Sequence, residues 1–116
     1  MKTNPRMLAI LRSLQREFAL DYFEAELLGD DILANLESLQ MDITRCVRAG
    51  HWSELAATAT ALEALGRNLG QVEIAAMGAT LSENATAQDG RAEEIARRLD
   101  ALLSELGVQK DALGPA

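Results

Sequence analysis

A chain of 116 residues can bury one modest core but not two, and its balance of 48% apolar with 25% charged residues excludes a disordered chain. The net charge of −7, with no run of Lys or Arg, excludes the basic stripe that a nucleic acid or an anionic membrane requires. A single cysteine, Cys46, and a single histidine, His51, leave neither an internal disulfide nor a metal-ligand cluster to be built, so no metal or cofactor is expected.

Aromatic residues make up only 3% of the chain, and Ala, Leu and Glu outweigh the β-branched residues, so summed local preferences favour helix. The N-terminus lacks the apolar centre of a signal peptide, and no stretch approaches the roughly 20 apolar residues of a membrane span. The expectation is an all-α, soluble, cytoplasmic domain with no membrane contact.

Five helical stretches follow from apolar spacing and punctuation. The first opens on Thr3-Asn4-Pro5, a capping residue before a proline, and carries Met7, Leu11, Leu14, Phe18, Tyr22 and Ala25 at three- and four-residue steps as far as about residue 28. Gly29 reads as its stop. Asp30 or Asp31 then caps a second helix with Ile32, Leu36, Leu39, Ile43 and Val47 on one face, ended by Ala49-Gly50. A third begins at His51-Trp52, with Glu54 in its first turn, and turns Leu55, Ala59, Leu62, Gly66 and Leu69 inward before Gly70. The fourth carries Ile74, Met77 and Leu81 and frays through the polar residues 82–90. The last has Ala92, Ile95, Leu99, Leu102 and Leu106 on one side, stops at Gly107 and leaves a disordered tail ending Gly114-Pro115-Ala116.

Each of these helices is amphipathic and unstable alone, and short connections favour antiparallel neighbours. The expected architecture is an antiparallel up-down four-helix bundle over residues 29–107, with an accessory N-terminal helix over 1–28 and a flexible tail over 108–116.

Local words within residues 32–106 add a family reading. Arg48-Ala49-Gly50-His51-Trp52-Ser53-Glu54-Leu55 is similar to an "AGDWxxL" entry into a helix. Thr60-Ala61-Leu62-Glu63-Ala64-Leu65-Gly66-Arg67-Asn68-Leu69-Gly70 is similar to "HxLKGxxxxLG", matching at Leu62, Leu69 and Gly70. Ile74-Ala75-Ala76-Met77-Gly78-Ala79-Thr80-Leu81 is similar to "LAxLCxxL". These words, in one continuous register, resemble the histidine-phosphotransfer (Hpt) domain, the helical bundle that passes phosphate between receiver domains in two-component phosphorelays.

The matches fall on packing positions and the departures on functional ones. Thr60 stands where the family has its phosphorylated histidine, Glu63 where it has lysine, and Ala64 where a glycine lets the receiver approach; His51 stands where an aspartate is usual. On a helix Thr60, Glu63, Ala64 and Arg67 share one face, turned from the Leu55, Ala59, Leu62 and Leu69 stripe. Threonine cannot replace histidine here, because a phosphothreonine ester is too stable to return its phosphate to an aspartyl acyl phosphate, and no neighbour activates the hydroxyl. Glu63 places negative charge where phosphoryl transfer calls for positive.

The resemblance therefore implies a pseudo-phosphotransfer module, not an enzyme, that binds a receiver or histidine-kinase domain through Thr60, Glu63, Ala64 and Arg67, with no small-molecule substrate. Two alternatives remain at this point: a helical scaffold with an unrelated protein partner, and an active phosphotransferase using His51. The latter lies about 13 Å along the helix from Thr60, at the N-terminal end where a phosphate is favoured.

Overall fold

The structure is a computed structural model that describes residues 5–113, with the side chains of residues 7–106. Five helices occur among the described residues, with no strand: α1 (Pro5–Phe18), α2 (Tyr22–Ala49), α3 (Trp52–Asn68), α4 (Val72–Thr86) and α5 (Ala92–Leu113). The Thr3-Asn4 cap and the Gly114-Pro115-Ala116 end lie outside the described residues.

The first correction to the sequence reading concerns where the opening helix ends. The chain breaks at residues 19–21, with Ala19 at φ 51°, and Gly29 lies inside α2. The Leu20 amide donates back to the Gln15 carbonyl, which closes the end of α1. Asp21 then starts α2 with a capping box: its carboxylate accepts from the Glu24 amide at 2.8 Å, while the Asp21 amide donates to Glu24 Oε1 at 3.2 Å. Replacing Asp21 by Ala is expected to lower stability by about 1 kcal/mol, read as a shift of the urea midpoint at constant slope. An unchanged midpoint would mean that the box contributes nothing to the start of α2.

Gly29 serves packing and not termination. A Cβ there would sit 2.9 Å from Leu11 Cδ2, so the missing side chain lets α1 lie close against α2, with Met7, Ile10, Leu11 and Leu14 buried between them. Uninterrupted, α2 is 28 residues long. At about 1.5 Å per residue that is about 42 Å, close to the 43 Å long dimension of the molecule. Two further boundaries differ from expectation. α4 continues through Thr86 because Asn84 and Ala85 are buried, and α5 continues past Gly107 to Leu113.

Helix α2 packs on α3, α3 on α4, α4 on α5, and α5 back on α2, with α1 lying on α2. Gly50 at φ 70° and Gly70 at φ 68° turn the chain after α2 and after α3 in a conformation where L side chains are strained, and the approaches of Gly66 to Ala75 and Gly78 to Glu63 run α3 and α4 antiparallel. The core holds Leu33, Leu36, Ile43, Leu55, Leu62, Ile74, Leu81, Leu99 and Leu106. Met77 and Ile95, expected inside, are only half-buried. Phe18 and Tyr22, also expected inside, are exposed because they flank the break at residues 19–21 and not the middle of a continuous helix.

The closest pairing in the molecule is α3 with α4. A Cβ on Gly66 would lie 2.5 Å from the Ala75 nitrogen, and one on Gly78 would lie 2.5 Å from the Glu63 nitrogen. The backbones touch at both points, so the seam admits no side chain there, and its direction fixes which residues of α3 remain on the outside.

Candidate docking face

The seam with α4 and the inward stripe of Leu55, Ala59, Leu62 and Gly66 leave the opposite side of α3 to solvent. Thr60, Ala64 and Arg67 are exposed there, while Glu63 is half-buried because its backbone lies against Gly78. The four residues expected to share a face therefore divide between the crest of α3 and the edge of the α3–α4 seam. Arg67 reaches back one turn to Glu63 as an ion pair, so the acid is neutralised by its neighbour and the patch carries little net charge. Between them and α4 runs an open groove of about 420 Å³, lined by Glu63, Gly66, Arg67, Val72 and Ala75 among others. Val72, on its rim, is one of the most exposed apolar side chains of the chain.

Thr60 Oγ1 donates to the Ala56 carbonyl at 2.9 Å, a bond within its own helix. Thr60 is thus an exposed threonine whose hydroxyl is engaged within its own helix. His51 is the residue before α3; its amide donates to the Cys46 carbonyl at 2.9 Å, and its exposed side chain makes no capping bond. It lies at the far end of α3 from the Glu63–Arg67 pair.

A cluster that sequence reading missed lies across the Gly50 turn. Arg45 donates to Glu54 Oε2 at 2.7 Å and the Cys46 thiol donates to the same oxygen at 2.9 Å. The pairing had no local signature, since the residues are eight and nine apart and meet only because α2 and α3 fold back on each other. The thiol and guanidinium bonds hold the Glu54 carboxyl below the usual carboxylate range. Burial and the carboxylate neighbour push the Cys46 thiol up to about 11. At neutral pH Cys46 is thus protonated and shielded, and a thiol-specific reagent is expected to label it at least about a hundredfold more slowly in the native protein than in urea. Equal rates would show that the α2–α3 corner opens freely.

Among the described residues no group of three or more His, Cys, Asp or Glu side chains could hold a metal ion, and no helix is long and apolar enough to cross a membrane. Comparison with protein-family models, with curated proteins and with solved structures gives no match.

Proposed function

We propose that this chain is a protein-binding module of the Hpt kind: an antiparallel up-down four-helix bundle of α2 to α5 with α1 as an accessory helix, which docks on a receiver or histidine-kinase domain without carrying phosphate. The ring of packing from α2 through α3, α4 and α5 back to α2 supports that architecture. The observation that carries the functional reading is the placement of Thr60. The position matching the family's histidine is exposed in the middle of α3, as a docking surface requires, yet its hydroxyl is tied to its own helix and its neighbour Glu63 is spent on Arg67. The matching packing residues Leu62 and Leu69 are buried, and Gly70 makes the turn that follows.

The test is a titration of the isotope-labelled chain with receiver domains and histidine-kinase domains, followed by amide chemical shifts. Shifts centred on Thr60, Ala64 and Arg67 are expected, together with no phosphate label on the protein. Ala64→Arg should weaken that binding by about tenfold or more, while an exposed site of this kind leaves stability within about 0.5 kcal/mol. The combined Thr60→His, Glu63→Lys and Ala64→Gly protein restores a nucleophile, positive charge and close approach together, and it should gain phosphotransfer from a phosphorylated receiver. Restored residues that stay inert toward every receiver, with no shifts on α3 in the parent, would remove this reading. Acid-labile label that vanishes in His51→Ala would replace it with catalysis at His51.

A further inference from the structure

The outward side of α2 is not the side of a helix that meets only water. At about 100° per residue, Phe23, Leu27, Ala34, Met41 and Arg45 fall within about 40° of one another, on the side opposite the buried Ala25, Gly29, Leu33, Leu36 and Ile43. Four of those five are apolar and exposed, at 69% for Phe23, 55% for Leu27 and 68% for Met41. The stripe runs about 27 Å along the helix from Phe23 to Met41. Beside Met41 it opens into a groove of about 570 Å³ formed with Gln40, Thr44, Arg45, Arg48 and Ala49.

Charge selects what would cover it. Glu24, Asp31 and Asp42 border the stripe on one side, and Glu26, Asp30 and Glu37 border it on the other. Basic residues join it only at its end, as Arg45, which is held by Glu54, and as Arg48. A second copy is a poor occupant: paired antiparallel about Ala34 it would set Asp30 and Asp31 against Glu37, and paired parallel it would set each acid against itself. An anionic membrane surface is repelled by the same six carboxylates.

We propose that the outer face of α2 is a docking surface for an amphipathic helix of another protein, one with an apolar seam bordered on both sides by Lys or Arg. Large apolar residues of the partner seat on Phe23 and Leu27 and beside Met41, with the small Ala34 allowing the two helices to approach midway. The partner's basic flanks lie over residues 24–42, and the end that reaches Arg48 carries an acid. This surface is distinct from the α3 face and does not rest on the Hpt reading.

The probe is a synthetic helical peptide of about 22 residues with a leucine seam and lysine flanks, measured by fluorescence anisotropy against the full chain and compared with the same seam bordered by glutamate. The lysine peptide is expected to bind at least about tenfold tighter than the glutamate peptide, and Leu27→Asp with Met41→Asp to weaken it about tenfold or more. The direction is diagnostic, because added carboxylates would strengthen a merely ionic attachment. Phe23→Ser is the second variant, expected to weaken binding with an unchanged circular dichroism melt, whereas Ala64→Arg should leave it unchanged. Equal affinity for the two peptides, or binding that survives the double variant, would overturn the proposal. So would sedimentation showing a dimer of the parent chain that the double variant dissolves, since the occupant would then be a second copy.

Discussion

Replacing Gly78 by alanine is expected to destabilise the protein by about 2–3 kcal/mol, although alanine is the better helix former by about 1 kcal/mol. The added Cβ would meet the Glu63 nitrogen at 2.5 Å, the Glu63 Cα at 2.8 Å and the Ala59 carbonyl oxygen at 2.9 Å. All three are backbone atoms, so no side chain can swing aside. Relief comes only from moving α3 and α4 apart by the better part of an ångström, which strips contact from Ala59, Leu62, Ile74 and Leu81 along the whole seam. Urea unfolding measures the loss. Gly90→Ala is the control, because a Cβ there has nothing within 4 Å and its backbone is not in the left-handed region. That change should be neutral to within about 0.5 kcal/mol. A Gly78→Ala protein as stable as the Gly90→Ala protein would show that the seam slips and does not fix the position of the α3 face.

The glycines also show what was legible in the sequence. Four helix ends close in the same way, by an amide donating five residues back past a residue with positive φ: Ala19, Gly50, Gly70 and Gln88. Two of these are glycine and could be read directly as stops. Ala19 and Gln88 carry side chains in a conformation that glycine accepts at less cost, so nothing in composition marked them, and the end of α1 was placed about ten residues late. The Asp21 and Glu24 pair that starts α2 was visible as a capping spacing, but the apolar steps through Phe18, Tyr22 and Ala25 ran across it and masked it. Gly29 carried the opposite ambiguity. A glycine that ends a helix and one that admits a neighbouring helix look alike until the neighbour is placed.

The inward stripe of α3 was legible for a simpler reason. Leu55, Ala59, Leu62 and Gly66 repeat at helical spacing, and burial follows from that spacing once a second helix is present. The outer residues of α3 carry no such constraint. Their sequence identifies what they are chemically, but the division between Glu63 at the seam and Thr60, Ala64 and Arg67 in the open depended on where α4 lies. The Arg45, Cys46 and Glu54 contact was hidden for the same reason, because it joins two elements across a turn whose angle no local pattern encodes.

Leu62→Ala is expected to lower stability by about 2–5 kcal/mol, a large share of the roughly 5–15 kcal/mol that a domain of this size has in total. Leu62 is fully buried, one turn from Ala59 and Gly66, with Leu55 and Ile74 in the same core. Ala59 and Gly66 are already minimal, and the backbone contacts at Gly66 and Gly78 prevent α3 from settling inward, so the cavity should stay open and the cost should fall in the upper part of that range. The melting temperature should drop by about 4 °C for each kcal/mol lost. The consequence for docking is separate from the consequence for folding. Thr60 and Ala64 stand on the opposite side of the helix from the lost side chain, so under the proposed function the variant should keep, well below its melting point, the proposed receiver binding that Ala64→Arg is expected to weaken. Loss of binding together with stability in Leu62→Ala would mean that the face depends on the exact height of α3 above its core, and a stability loss below about 1 kcal/mol would mean that Leu62 does not occupy the core position assigned to it.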